Sequence, residues 1–187
     1  MIDIKKLSLL DLQIQFDDVI CLGACIADFF DDLTTEEKLL VSKAVEKRQN
    51  EFSTGRWLAH LALETLGVKQ SDLLSGNGRQ PIWPSNIVGS ITHTDQYAIV
   101  MLSLSLNYSA IGIDLEQKGR VDSHMAPIIL LPEEQFLYSG IDATLIFSIK
   151  ESCYKLLFPL VGDFIEFHDL EVKLNMTHKT FDVCYRG

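Results

Sequence analysis

The sequence predicts an α+β chain, and three observations carry that prediction. A capping-box pattern, Thr34 with Glu37, opens a helical stretch that is followed by a second helical run. Two pairs of segments, residues 87–91 with 97–106 and residues 164–174 with 180–185, have strand character and are separated by turn residues. The chain has 187 residues, 47% hydrophobic and 22% charged, which suffices to bury a real core. One domain or two small halves would satisfy that length. Tyr108-Ser109-Ala110 is the expected joint between an N-terminal part, 1–107, and a C-terminal part, 108–187.

In chain order, residues 1–12 carry Lys5 and Lys6 but alternate polar with apolar, without the apolar core or cleavage site of a signal peptide. No stretch approaches the length of a membrane span, so a cytoplasmic protein is expected. Residues 12–30 read as one or two strands. The helix opened at Thr34 is expected to continue to about Asn50, and the second to run over 55–66, closed by Gly67. Arg48 and Arg56 share a helix face if the run is continuous, although each alone reads equally as a solvated surface residue. Gly55 inside a helical pattern costs about 1 kcal/mol against alanine and calls for a packing or ligand reason. Residues 71–86, with Gly76, Gly78, Pro81 and Pro84, form a loop. That loop is either a connector or, with Arg79 and its backbone N–H groups, an anion cradle. His93 stands in the turn before the next strand, where a lone histidine is more often structural or simply exposed. Residues 117–141 are irregular, with Pro127, Pro132, an aliphatic run at 128–131 and a short helix opened by Glu133 and Glu134.

The formal net charge of −10 argues against non-specific nucleic-acid binding, which needs a basic surface. An anionic ligand would have to meet a local basic patch instead. Cys21, Cys25, Cys153 and Cys184 have neither CxxC spacing nor a companion histidine pattern for zinc, so reduced, buried thiols are expected.

The most informative stretch runs from Ala110 to Pro159. Ile111, Ile113 and Leu115 alternate with Gly112, Asp114 and Glu116, the pattern of a half-buried strand whose two carboxylates leave one face about 7 Å apart at Cα. Asp142 can cap a helix that Pro159 ends, with Leu145, Ile149, Leu156 and Leu160 near one apolar stripe. Phe147, Glu151 and Lys155 then form a row along that helix. Carboxylates from a strand and a helix, with a lysine one turn on, suit a magnesium and phosphate site. An acidic strand end beside an ordinary Glu/Lys pair on a solvated helix explains the same spacing.

Taken as blocks, Gly112-Ile113-Asp114-Leu115-Glu116 and Phe147-Ser148-Ile149-Lys150-Glu151-Ser152-Cys153-Tyr154-Lys155 resemble the signature of the 4′-phosphopantetheinyl transferase superfamily. The resemblance is to the members that activate siderophore (enterobactin-like) and surfactin synthetases. Two upstream stretches also fit: Glu51-Phe52-Ser53-Thr54-Gly55-Arg56-Trp57, and Gly78-Arg79-Gln80-Pro81-Ile82-Trp83-Pro84 running into Gly89-Ser90-Ile91-Thr92-His93. The four blocks stand in the right order and span more than half of the chain.

That resemblance implies a pseudo-two-fold pair of small α/β subdomains with the site in the cleft between them. It implies magnesium held by Asp114, Glu116 and Glu151, and coenzyme A as co-substrate contacted by Arg48, Arg56, Arg79, Gln80, Thr92, His93, Lys150 and Lys155. Thr92 stands where the family commonly has serine, which keeps the hydroxyl. The implied reaction moves the 4′-phosphopantetheine arm to a serine of an apo carrier protein and releases 3′,5′-ADP, with Asp114, Glu151 and Lys155 as catalytic residues. Carrier domains of non-ribosomal peptide or polyketide synthesis are the implied partners, met by a monomer near residues 117–141. The aliphatic run 128–131 would suit that docking surface or, equally, the core. A coenzyme A phosphohydrolase would use the same acids, and a non-catalytic coenzyme- or carrier-binding relative should have lost one of them.

Overall fold

A computed structural model describes residues 16–69 and 72–186. The expectations for residues 1–12, and the start of the strand region at 12–15, lie outside the described residues. The chain divides into two compact units, Met1–Ile113 and Asp114–Gly187. Helices and antiparallel sheets occur in both, as an α+β chain requires.

In the first unit, β1 (Ile20–Cys25), β2 (Ile87–His93) and β3 (Tyr97–Leu104) form an antiparallel sheet in the order β1-β3-β2. Alternation in β3 puts Ala98, Val100 and Leu102 in the core, all fully buried. Helix α1 (Thr35–Val41) opens with the expected capping box: Thr34 accepts from the Glu37 N–H while Glu37 accepts from the Thr34 N–H. The first helix is shorter than expected. It stops at Val41, and a second helix, α2 (Glu46–Thr65), runs unbroken through residues 50–55. Arg48 and Arg56 therefore belong to one helix. Its end is a Schellman cap, with Gly67 at φ 71° and the Val68 N–H donating to the Leu63 carbonyl at 2.9 Å.

Helix α2 lies across the sheet through Leu58, Ala59, Ala62 and Leu63, each fully buried, and through Trp57, whose ring stacks on Phe29 at 4.6 Å. The approach is tight at Gly55, where an added Cβ would sit 3.0 Å from Ile91 Cγ2. That is the packing reason for a glycine in mid-helix, and it sets the α2 N-terminal turns beside the end of β2.

Glu37 is fully buried, accepting from the Leu73 N–H at 3.0 Å and meeting His60 Nε2 at 2.8 Å. Burial pushes its carboxyl up, but hydrogen bonds from His60, Thr34 and Leu73, together with the charge of His60, hold it below the ordinary carboxylate value. A carboxyl depressed in the folded chain stabilises the fold above its unfolded pKa and loses that contribution as pH falls through the depressed one. Urea unfolding should therefore show a fall in stability from about pH 5 to about pH 3 that is shallower in Glu37→Gln.

The second unit carries α3 (Ala126–Ile129), α4 (Pro132–Leu137), α5 (Ala143–Val161) and a hairpin of β4 (Leu170–Asn175) with β5 (Thr180–Tyr185). Asp142 caps α5 through the Thr144 N–H at 2.9 Å and also takes the Gly119 N–H at 2.8 Å. Three expectations need correction here. Residues 110–116 join no ladder among the described strands, because the Ile113 N–H donates to the Ser90 hydroxyl at 3.2 Å rather than to a strand backbone. Pro159 does not end α5, which continues to Val161 and closes at Gly162, φ 74°. The buried face of α5 is Ile146, Ile149 and Lys150, while Leu145 and Leu160 are exposed.

Of the aliphatic run 128–131, Ile129, Leu130 and Leu131 are buried and Ile128 is exposed, so most of it serves the core. All four cysteines are free, as expected, but none is fully buried, and Cys25 and Cys184 are exposed. No helix among the described residues is long and apolar enough to cross a membrane.

Candidate functional site

Two sets of residues carry candidate chemistry, one in each unit. In the first unit the α2 face bearing Arg48, Glu51, Phe52, Gly55 and Arg56 borders a groove of about 510 Å³. His93 from the end of β2 and Arg79 from the loop complete its charged lining. Four of the expected coenzyme A residues thus converge on one groove, a local positive patch on a chain of net charge −10.

Arg56 is 3% exposed. Its Nη2 donates to Ser75 Oγ at 3.3 Å and its guanidinium lies 4.8 Å from the Phe52 ring centroid. Burial lowers its pKa to about 10, with Glu37 opposing and Arg48 adding to the fall, so it stays charged at neutral pH. Its Nε is buried without a hydrogen-bond acceptor among the described residues. A buried, charged donor lacking an acceptor is what an anion site supplies and a packed core avoids. Arg48 reaches His93 Nε2 at 2.8 Å and Glu51 at 3.4 Å.

Two expected contacts are not in this groove. Thr92 is 3% exposed and, one residue before His93 on a strand, points to the opposite sheet face. Gln80 is folded back onto Gly76, so closely that a Cβ there would collide with its side-chain amide. It lies within a small turn in which the Gly76 N–H donates to the Gln80 carbonyl at 2.9 Å.

In the second unit Asp114, nearly buried, accepts from Lys155 Nζ at 2.6 Å. Glu116 lies 3.8 Å from Arg120. Burial raises the Glu116 carboxyl, Asp114 raises it further, and Arg120 and Lys155 oppose. Glu151 is raised by burial, lowered by Lys155, and raised again by Asp114 and Glu116. The three acids thus stand within electrostatic range of one another, with Lys155 the cation among them. Among the described residues no three acidic, histidine or cysteine side chains are close enough to clasp a metal as they stand. The donor set nonetheless fits magnesium in chemistry: hard carboxylate oxygens, two of them raised first by burial and further by the neighbouring acids.

Glu151 also borders a cavity of about 350 Å³ walled by Tyr154, Phe164, Ile165 and Phe167. Nothing in the spacing of the acids announced those aromatic walls, because they come from the loop after α5 as well as from the helix itself.

Lys150 corrects the expectation of a phosphate contact. It is fully buried, and its ammonium donates to the Ile129 carbonyl at 2.9 Å, Glu134 at 2.7 Å and the Phe167 carbonyl at 3.0 Å. An ammonium has three protons, and all three are engaged inside the unit. Glu51, by contrast, is a site residue that the reading of motifs passed over, although its i, i+3 spacing from Arg48 was a usable signal.

Comparison with known proteins finds the same family in both halves of the chain. Residues 35–103 match the 4′-phosphopantetheinyl transferase N-terminal domain, and residues 110–181 match the 4′-phosphopantetheinyl transferase superfamily. The chain is 33% identical over 157 residues to the 4′-phosphopantetheinyl transferase Svp of Streptomyces mobaraensis, covering 80% of this chain and 64% of that protein. It is 34% identical over 143 residues to the 4′-phosphopantetheinyl transferase PptT of Mycobacterium tuberculosis, covering 73% and 63%. With enterobactin synthase component D of Salmonella typhimurium it shares 34% over 120 residues, covering 60% and 49%. The chain thus spans less than two thirds of the length of each of these relatives. With both halves matched in order by the same family, this chain belongs to the 4′-phosphopantetheinyl transferase superfamily.

Proposed function

We propose that the chain transfers the 4′-phosphopantetheine arm of coenzyme A to a serine hydroxyl of an apo carrier protein, releasing 3′,5′-ADP. The observation that carries this reading is the groove where Arg48, Arg56, Arg79 and His93 meet, with the Arg56 Nε buried and lacking an acceptor among the described residues. Such a groove suits the phosphates of a nucleotide tail. In the second unit Asp114, Glu116 and Glu151 would hold magnesium, which when bound supplies charge neutralisation at the pyrophosphate.

The remaining chemistry belongs to side chains. Lys155, drawn from Asp114 toward the substrate, holds a proton at Nζ for the departing phosphate oxygen. Glu151, directly or through water, takes the proton of the attacking serine. The aromatic cavity beside Glu151 suits the uncharged pantetheine arm, whose length is mostly apolar or amide. Lys150 has no part in this scheme, and neither Thr92 nor Gln80 is needed at the groove. Carrier domains of siderophore or other non-ribosomal peptide or polyketide synthesis are the proposed partners, met by a monomer in the cytoplasm.

The test is to incubate the protein with coenzyme A, magnesium and a panel of apo carriers. The mass of the arm should appear on a carrier serine. Loss of coenzyme A without any gain on the carriers would instead mark a phosphohydrolase, and binding without loss would mark a non-catalytic relative.

A further inference from the structure

Among the described residues lining the first unit's groove, Glu51 is the only carboxylate, in company with three arginines and a histidine. An acid whose side chain is 10% exposed is out of place in a pocket for phosphates unless it has work of its own there. We propose that Glu51 is a positioning residue that lets His93 meet the terminal phosphate of coenzyme A as a proton donor, an inference that rests on the coenzyme A reading above.

The geometry is specific about protons. Arg48 Nη1 stands 2.8 Å from His93 Nε2, and a guanidinium only donates, so Nε2 accepts through its lone pair. The ring proton is therefore on Nδ1, the nitrogen 3.7 Å from Glu51 Oε2. That same oxygen is 3.4 Å from Arg48 Nη1, so one carboxylate oxygen faces both cationic partners. This contact exists because α2 approaches β2 at Gly55 and Ile91, and one step further along each element brings Glu51 opposite His93.

A phosphate brings only acceptors near neutral pH, and a lone pair on Nε2 would repel it. His93 can hold the phosphate only after Nε2 gains a proton, while Nδ1–H continues to face Glu51. Phosphate and carboxylate then flank an imidazolium, and Arg48 turns from the ring to the phosphate. Among the described residues lining the groove, Arg56 of α2 and Arg79 of the loop also carry charge, and both oppose a further positive charge. Asp95, in the turn after β2, is bound to Lys47 of α2 at 2.7 Å. Glu51 is thus the groove carboxylate placed to balance the added proton, and binding of the terminal phosphate takes that proton up from solution.

Calorimetric titration in buffers of different ionisation enthalpy, slightly above neutral pH, tests this with coenzyme A and with 3′-dephospho-coenzyme A as probes. The unmodified protein should take up close to one proton with coenzyme A and none with the dephospho form. Glu51→Gln should bind coenzyme A about tenfold more weakly, lose the proton uptake, and change its affinity for the dephospho form by no more than about twofold. If Glu51→Gln keeps both the preference for coenzyme A and the uptake, Glu51 has no such role. If the variant fails to fold, the unmodified protein still decides, because coenzyme A binding without proton uptake overturns the inference. Equal affinity of the unmodified protein for both probes would overturn the contact between His93 and the 3′-phosphate, and binding of neither probe would instead overturn the coenzyme A reading on which the inference rests.

Discussion

Asp114→Asn should reduce transfer of the phosphopantetheine arm about a thousandfold while leaving the fold intact. Asparagine keeps the shape of the side chain, so packing around a carboxylate that is 5% exposed is not disturbed. What disappears is its charge, and with it the anchor that Lys155 grips at 2.6 Å. Lys155 is 28% exposed, so losing its partner does not strand a buried ammonium, and the structural cost is small. Glu116 and Glu151 meanwhile lose a repelling neighbour, which offsets part of that cost. Activity and stability therefore separate. The mass of an apo carrier after incubation with coenzyme A and magnesium reads the first, and thermal unfolding reads the second. Retention of more than about a tenth of the activity would remove Asp114 from the reaction, since loss of one group stabilising developing charge ordinarily costs two to three powers of ten.

Local signals in the sequence were legible, and partnerships across the chain were not. The Thr34–Glu37 capping box, the Gly67 end of α2 and the strand at Thr180–Tyr185 each depend on residues adjacent in sequence. The alternation at 111–115 reported only that the segment has two unlike faces, while a ladder needs a backbone partner, and Ser90 meets it with a hydroxyl instead. In the same way a glycine and an arginine in mid-helix suggested a ligand at Gly55-Arg56, and Phe52 one helical turn back is a local neighbour, but the hydrogen-bond partner of Arg56, Ser75, comes from a loop 19 positions away. Lys150 and Glu151 show the limit most plainly. Neighbours on a helix point about 100° apart, so one of the two can enter the core while the other borders a cavity. Sequence spacing could not say which, because the deciding partner, Glu134, lies 16 positions away on another helix.

That partnership yields the largest expected effect on stability. Lys150→Met should destabilise the chain by about 3–5 kcal/mol, since it leaves Glu134 buried without its cation. Glu134 is 2% exposed and would keep the Leu131 N–H at 2.8 Å and the Val172 N–H at 2.7 Å, which support its charge only in part. The Ile129 and Phe167 carbonyls would lose a donor at the same time. Burial draws the Lys150 pKa down, and the hydrogen bond and charge of Glu134 oppose that fall. Glu134→Gln should be nearly as damaging, and the double variant should cost less than the two singles added, by about 1–3 kcal/mol, because each single change strands the other group. Urea unfolding of the four proteins measures that coupling. For a chain with the usual stability of about 5–15 kcal/mol the single variants should still fold in the cold, where their affinity for coenzyme A can be compared. Unchanged affinity with lost stability is the expected result. Unchanged stability with tenfold weaker binding would mean that Lys150 leaves the core to reach a phosphate, and the buried pair would then be the wrong account of the helix.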